Sequence, residues 1–464
     1  MPPCRGPVYL PGMHLPHPAS DPLRAVIIGA GSRGNKVFAE LMATHDTGFL
    51  VAGVVEPDAG RREAFASRYA VPAARTFTTL EAFLAAERFA DIVFICTPDR
   101  THFAICREVS AHGYRIMLEK PAATSLAECL ELLETQRRSG NEIFVAHGLR
   151  YAPFFQQVKA IIASETLGRI RHVHLTENVG HWHFAHSYVR GQWRRRDESA
   201  PIVLTKTSHD LDVLQWLVDQ RVVSVTSHGS LTYFRPENAP SGATDRCVDC
   251  PLQESCLYSA TRFYLDERPE WPYDVVLGGG PDSREARQHA IATGPYGRCV
   301  WHSDNDVCDS QLVLLEYASG IFASFEMHAH TAENTRKLRV LFDHGELYGD
   351  VRRGTLWISR FTGQKDQVDV EQVPLPDLGD PHGGGDLQLL LALNEHIRQG
   401  RHGDMITSLE HSLASHVLAF LAEESRVSDN AKLAVSPMLI PAALLDPEAV
   451  SVPEPIPLDL PVLP

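Results

Sequence analysis

Gly29, Gly31 and Gly34 stand in the run Val26-Ile27-Ile28-Gly29-Ala30-Gly31-Ser32-Arg33-Gly34, where an apolar strand gives way to G-x-G-x-x-G and then to a helix-like stretch from Lys36 to Met42. In that context the first glycine permits a tight turn, and the second leaves the backbone open to a pyrophosphate. The third lets the helix lie close to the strand. A helix N-terminus adds unpaired N–H groups and a partial positive charge. A second apolar strand, Phe49 to Val55, ends in Glu56, roughly 20 residues beyond the fingerprint, where an acid can accept hydrogen bonds from a ribose. These residues predict a dinucleotide site.

Two further clusters carry chemistry. His181-Trp182-His183, His186-Ser187-Tyr188 and then Arg190 and Trp193-Arg194 combine aromatic faces with hydrogen-bonding groups, a mixture suited to a sugar. The H-x-H pair lacks a carboxylate or cysteine at a metal-binding spacing. Cys247-x2-Cys250-x5-Cys256 with Cys299 offers four thiolates to a tetrahedral zinc ion, which would staple an insertion that lacks its own core; Cys308 is a spare. An iron–sulfur cluster or plain reduced thiols are the alternatives. Cys96, Cys106 and Cys129 fall in core elements and read as small hydrophobes.

The elements that must position these groups are legible as period and punctuation. From Leu23 to Ala146 strands and helices alternate: strands at Arg24–Ile28, Leu50–Val55, Ile92–Cys96, Arg115–Leu118 and Ile143–Ala146, helices at Leu80–Ala86, Thr101–Ser110 and Leu126–Ser139. This predicts an α/β fold opening on a Rossmann-type, doubly wound parallel sheet. Beyond Gly148 the pattern turns to longer alternating segments at Ile170–Asn178, Val222–Tyr233, Gln311–Tyr317, Ile321–His328, Lys337–Phe342 and Thr355–Ser359. Alternation predicts an antiparallel sheet with one open face. Two late helices are expected, Asp386–Arg398 and Leu409–Glu424. The division is thus a tail at 1–22, a dinucleotide-binding domain at 23–146, a second domain at 147–446 with a Pro-, Gly- and Cys-rich insertion at 235–300, and a proline-rich tail at 447–464.

At 464 residues two domains are expected. A formal charge of −15 disfavours nucleic acid and anionic membranes as partners. No apolar run reaches the roughly 18 residues of a membrane helix. The N-terminal stretch lacks the apolar block of a signal peptide, so a cytoplasmic protein is expected. Nine cysteines, an odd and uneven set, do not suggest a secreted disulfide framework.

Glu119-Lys120-Pro121 follows a strand end, and Cys96-Thr97-Pro98 with His102 follows the strand before it. With the fingerprint and the antiparallel second half, the chain from Leu23 to Arg426 resembles the Gfo/Idh/MocA oxidoreductases, the glucose–fructose oxidoreductase and inositol dehydrogenase family. It looks most similar to a long-chain branch sharing Val189-Arg190-Gly191-Gln192-Trp193-Arg194, Lys206-Thr207-Ser208-His209-Asp210-Leu211-Asp212 and a cysteine cluster. The resemblance implies bound NAD, with NADP as the second choice. It also implies hydride transfer between nicotinamide and a hydroxyl or ketone of a sugar, cyclitol or glycoside, in a homo-oligomer built through the second sheet. The implied cofactor contacts are Gly29, Gly31, Ser32, Arg33, Gly34, Glu56, Thr97, Pro98, His102, Glu119 and Lys120.

Lys120 and His209 are the implied catalytic pair, the lysine on the reacting oxygen and the histidine in proton transfer. Thr207 is expected to cap the helix that carries His209, with Asp210 completing a capping-box-like start. Asp212, three residues on and sharing the face of His209, is expected to orient its imidazole. Many relatives have an aspartate four residues before the histidine, where this chain has Thr205; Lys206, Asp210 or Asp212 would take over part of its role. Arg190, Trp193, Arg194, Thr205, Lys206 and Asp212 are the candidate substrate contacts. Two other readings use the same NAD site: a glycosidase that transfers hydride transiently, and a non-catalytic NAD-binding regulator.

Overall fold

The computed structural model describes residues 21–266, 268, 270–280, 282–376, 383–400 and 405–436. The expected tails, apart from residues 21 and 22, lie outside the described residues, as does Cys4.

Six strands open the chain: β1 (Leu23–Ile28), β2 (Phe49–Val55), β3 (Thr76–Phe77), β4 (Ile92–Ile95), β5 (Arg115–Leu118) and β6 (Ile143–Val145). They form a parallel sheet in the order β3-β2-β1-β4-β5-β6. Both faces are covered, so consecutive residues of one strand enter different cores. Ala25 and Ile27 pack on one side with Phe38, Phe94 and Phe144. Val26 and Ile28 pack on the other with Cys106, Val109, Leu132 and Leu133. That is why these strands read as continuous apolar runs rather than alternating ones. The strand order reverses between β1 and β4, and the crevice at their carboxyl ends is where an open α/β sheet holds a ligand.

Nine more strands build the second sheet: β7 (Ile170–Gly180), β8 (Val222–Ser230), β9 (Ser310–Tyr317), β10 (Phe322–Thr331), β11 (Thr335–Phe342), β12 (Gly345–Asp350), β13 (Thr355–Phe361), β14 (Val368–Val373) and β15 (Leu433–Ala434). Their order is β14-β13-β12-β11-β7-β10-β9-β8-β15. All pairs are antiparallel except β7 with β10. The inner residues, among them Val173, Leu175, Val313, Leu315, Phe325, Val340 and Leu347, join one core with the helices Pro153–Ala163 and Ser208–Val218. The outer face carries exposed Leu314, Phe322, Tyr348, Val368 and Val370. Alternation did not reveal β12, whose Gly-Glu-Leu-Tyr-Gly-Asp sequence is held by pairing on both sides rather than by propensity.

The late helices are Gly385–Arg398 and Leu409–Val427. The first does not serve the second sheet: Leu389, Leu390, Leu393 and Ile397 pack into the core beneath the first one. Leu409 and Leu413 of the other help to close the opposite face of that sheet. The chain thus returns to its starting domain and ties the two together.

The cysteine-rich insertion has a small core of its own, Cys247, Ala260, Tyr264 and Ile291, contrary to the expectation that it lacks one. Its staple is a guanidinium. Arg287, fully buried, donates to the carbonyls of Tyr264, Asp266, Arg268 and Tyr273 and pairs with Asp282. One arginine can do this because it carries five N–H donors in a rigid fork. The insertion also reaches the first domain, through an ion pair of Lys36 with Asp274 and through Gly279 packed on the Arg61 side chain.

Two glycines of the fingerprint should respond differently to a methyl group. A Cβ on Gly34 would collide with the Gly29 carbonyl oxygen and lie 2.9 Å from Ile27 Cγ2, whereas one on Gly31 meets nothing within 4 Å. Gly34→Ala should therefore lower the unfolding free energy by about 1–3 kcal/mol. Gly31→Ala should leave it within about 0.5 kcal/mol. Denaturant melts of both variants check this.

Candidate active site

The fingerprint loop joins β1 to the helix Ser32–Ala39, which winds as a wide π-turn before an α-helical end, Glu40–Thr44. Gly29 has φ +94°, and a Cβ there would meet the Cys96 carbonyl at 2.8 Å. Only glycine suits that position. Glu56, buried at the end of β2, is held in place. Its Oε2 accepts the Ala30 N–H at 2.9 Å, and its Oε1 accepts the Asp58 N–H at 3.0 Å and stands 3.4 Å from Arg61 Nη2. Arg62 donates to the backbone carbonyls of Glu56 and Pro57.

Several expected cofactor contacts are engaged with the protein itself. Arg33 pairs with Glu119 at 2.5 Å and forms a two-pronged pair with Asp386 at 2.9 and 3.0 Å, so its guanidinium links the loop to the returning helix. His102 lies between the carbonyls of Pro121 (2.7 Å) and Thr97 (2.8 Å), bracing the loops that follow β4 and β5. Asp99, one residue past Pro98, accepts from Trp193 Nε1 (2.9 Å) and Ser199 Oγ (3.0 Å). It is a contact of the second domain that the sequence did not single out.

Lys120 follows β5 at the domain junction. Its Nζ donates to the Thr205 carbonyl at 2.5 Å. Burial lowers its pKa to about 8; the carboxylates of Asp99 and Glu119 oppose that shift, while Lys206 and Arg33 reinforce it. The position four residues before His209 therefore meets the lysine through its backbone. The Thr205 hydroxyl turns back to the Pro201 carbonyl at 3.4 Å.

His209 sits in the first turn of the helix Ser208–Val218. The expected cap is absent: Thr207 Oγ1 donates to the Val203 carbonyl at 3.0 Å instead of accepting from the helix. Asp210 is drawn away from a capping role by Arg336 at 2.7 Å. Glu177 binds both Arg336 (3.1 Å) and Lys206 (3.0 Å), so two acids and two bases form one buried network beside His209. Burial raises the pKa of Asp210, with Glu177 adding to the effect and Arg336 and Lys206 opposing it. Asp212 is taken up by other partners. It forms a two-pronged pair with Arg150 at 2.6 and 2.7 Å, and the Nδ1 of His147 lies 3.8 Å from its Oδ2. Glu177, Arg336, Arg150 and His147 were all missed, because each lies on an element far from His209 in sequence.

The aromatic patch divides. Tyr188 and Trp193 stack at 6.0 Å near Asp99, on the junction side. His183 Nδ1 lies 3.2 Å from Asn334 Oδ1, and His186 hydrogen-bonds Tyr264 and stacks on Tyr296 of the insertion. Arg190 and Arg194 are engaged with the insertion and its flank. Arg190 is buried against the insertion, donating to the Arg298 and Tyr258 carbonyls and lying 3.5 Å from Cys247 Sγ. Arg194 is neutralised by Asp304 and Glu198. Closeness to Trp193 in sequence could not show that these side chains turn elsewhere.

Cys247, Cys250, Cys256 and Cys299 do converge on one small pocket, together with Arg190. Among the described residues, however, no group of three or more His, Cys, Asp or Glu is arranged to hold a metal ion, so the expected zinc is not supported. Burial raises the thiols of Cys256 and Cys299, which suits neutral, reduced cysteines.

Removing half of a buried ion pair leaves the other charge without compensation. Asp212→Ala should therefore destabilise the fold by about 3–5 kcal/mol. The double variant Asp212→Leu/Arg150→Met should recover most of that loss, as read by thermal and denaturant unfolding.

Comparison with known proteins agrees with this architecture. Residues 23–147 match the model for the Gfo/Idh/MocA oxidoreductase family's NAD-binding Rossmann fold, and residues 159–433 match that for the family's C-terminal alpha/beta domain. A putative oxidoreductase, YteT, of Bacillus subtilis is 24% identical over 309 residues, 65% of this chain and 71% of the relative. Inositol 2-dehydrogenase of Corynebacterium glutamicum is 27% identical over 210 residues, 44% of this chain and 57% of the relative. Levoglucosan dehydrogenase, solved with NADH and levoglucosan, superposes with a TM-score of 0.65 at 18% identity, covering 89% of this chain and 99% of that one. With both family domains matched in order over most of its length, the chain belongs to the NAD-binding Gfo/Idh/MocA oxidoreductase family.

Proposed function

We propose that the protein is an NAD-dependent dehydrogenase that interconverts a secondary hydroxyl and a ketone on a sugar or cyclitol. The observation that carries this reading is Lys120. It is a partly buried amine with a pKa lowered to about 8, placed at the carboxyl end of β5 and bonded to the helix pair that presents His209. A group poised near neutrality suits proton exchange with a reacting oxygen. In oxidation, His209 would take the hydroxyl proton, Lys120 would hold the oxygen, and the carbon would release its hydrogen with two electrons. Bound nicotinamide would supply the hydride acceptor.

The chain's residues fit that cofactor. The open space over Gly31 leaves room for a pyrophosphate, and Glu56 is anchored where ribose hydroxyls would lie. A 2′-phosphate would meet the Glu56 carboxylate, which favours NAD over NADP. Trp193 and Tyr188 offer aromatic faces, and Lys206, Glu177, Arg336 and Asp210 offer polar partners for a hydroxyl-rich substrate. Relatives named inositol 2-dehydrogenase and levoglucosan dehydrogenase support that substrate class. The glycosidase and regulator readings find no such support. The apolar outer face of the second sheet, with Phe322, Tyr348 and Val370 exposed, fits pairing with another copy of the chain. The described cysteines are all unpaired and no helix among the described residues is long and apolar enough to cross a membrane. Free thiols suit a cytoplasmic location.

Lys120→Ala and His209→Ala should each lower kcat by about 10²–10⁴ while NAD still binds, as read by NADH formation from a sugar and cyclitol panel and by cofactor fluorescence. Lys120, holding the oxygen, can share the proton that His209 takes only where its neutral form is populated, so the oxidation rate should rise with pH through about 8. A pH profile checks the limb, which Lys120→Ala should remove. Accumulation of NADH would separate this reading from a glycosidase that returns its hydride.

Glu56→Ser should weaken NAD binding and narrow the preference over NADP, because the ribose loses its acceptor and Arg61 loses its carboxylate partner. Calorimetric titration with both cofactors measures it. Equal affinities in the unmodified protein would overturn the NAD assignment.

A further inference from the structure

His147 stands just past the end of β6, where the chain leaves the first sheet, and it is completely buried. Its ring meets His209 edge to face, with centroids 5.4 Å apart and planes at 82°, and meets His416 at 5.8 Å and 77°. Its Nδ1 lies 3.8 Å from Asp212 Oδ2, beyond hydrogen-bond distance. Neither ring nitrogen of His147 has a hydrogen-bond partner among the described residues.

Its neighbours are committed. Asp212 is bound by Arg150 through both carboxylate oxygens, and Arg150 also donates to the Ile406 carbonyl. The Nδ1 of His416 lies 2.9 Å from the Ser412 carbonyl, and its Nε2 accepts the Ala122 N–H at 2.9 Å, two residues past Lys120. Leaving a buried donor or acceptor unsatisfied is costly, and such groups are ordinarily avoided. A phenylalanine or leucine would fill the position without that cost.

His147 is surrounded by the groups of the reaction. Lys120, Arg150 and His416 act on it as positive or potentially positive neighbours, and Asp212 as a negative one. Burial is the largest influence and holds its pKa at about 3, so the ring is neutral across the working range. A neutral imidazole keeps one N–H and one lone pair. The Asp212 carboxylate beside Nδ1 favours the tautomer with hydrogen on that nitrogen, which leaves Nε2 as the acceptor.

We propose that His147 is a positioning residue for the hydride-transfer reaction, joining the buried Asp212–Arg150 pair to His209 and holding that imidazole at the angle from which it meets the substrate oxygen. Asp212, expected to orient His209, would act on it through the intervening His147 ring. The inference rests on the reading of His209 as the proton-transfer group. Orientation of this kind carries weight because a misplacement of about 1 Å can cost 10²-fold in rate.

The test compares His147→Phe, which keeps a flat ring but no nitrogen, with His147→Gln, which restores a donor and an acceptor. Both are normalised to the number of NADH-binding sites, and His209→Ala runs alongside. His147→Phe should lower kcat about 10- to 100-fold with little change in substrate KM or NAD affinity, and should displace the limb of the pH profile that His209→Ala removes. His147→Gln should recover part of kcat and return the limb towards its place. If His147→Phe does not fold, the displaced limb and reduced kcat of His147→Gln carry the test. Unchanged kcat and pH profile in whichever variants fold would overturn the inference, and so would losses that merely follow the folded fraction. Turnover surviving in His209→Ala would instead overturn the assignment of His209, so the two failures are distinguishable.

Discussion

Lys120 is an amine largely withdrawn from water, and the geometry around it follows from that constraint. An ammonium in a low-dielectric site is costly, so burial draws its pKa down until the neutral form becomes accessible near physiological pH. Too little compensation would make the lysine permanently neutral, and too much would leave it permanently charged. Asp99 and Glu119 supply the negative charge, Lys206 and Arg33 the opposition, and the Thr205 carbonyl the hydrogen bond. Glu119 comes from the same strand end as Lys120. Asp99 is held by Trp193 and Ser199 from the second domain, so the balance exists only when both domains are in place.

The same logic organises the histidine side. His209 would contribute little if its helix could rotate or its domain could drift. The buried set of Asp210, Arg336, Glu177 and Lys206 ties that helix to β7 and β11, while Arg150 and Asp212 tie it to the exit from the first sheet. Buried ion pairs of this kind are weak sources of net stability, because desolvation offsets much of their attraction. Their value lies in direction, since each allows only a narrow range of geometries. The helix Gly385–Arg398 adds a mechanical link by packing beneath the first sheet while its Asp386 grips Arg33 on the fingerprint loop.

In the insertion, a segment rich in Pro, Gly and Cys is gathered around a buried guanidinium. Arg287 gathers four backbone carbonyls, and a few apolar side chains fill the space around it. Four cysteines still converge beside Arg190, a buried guanidinium whose hydrogen bonds among the described residues go to carbonyls and to a cysteine sulfur. Because the insertion touches Lys36 and Arg61 on one side and packs Trp271 against His183 on the other, it borders both the cofactor region and the junction.

Much of the first domain was legible in the sequence, because its determinants are local. Continuous apolar runs marked strands buried on both faces, the glycines marked a turn that a side chain would obstruct, and Glu56 and Lys120 stood at strand ends with a fixed offset from those runs. Strand β5 and the helix Leu126–Ser139 lie where periodicity placed them. Alternation likewise disclosed most of the second sheet, though not β12 or β14, which depend on neighbouring strands for their pairing. The partners of charged side chains were not legible. Spacing along a helix placed Asp212 beside His209, yet a carboxylate goes to the strongest donor within reach, and that donor, Arg150, arrives from another element. Closeness in sequence also grouped Arg190 and Arg194 with Trp193, although their guanidiniums turn to carbonyls and carboxylates of the insertion and its flank. A sequence states which groups need compensation when buried; only the tertiary structure decides which distant group supplies it, because desolvated charges pair by proximity in space and not by separation along the chain.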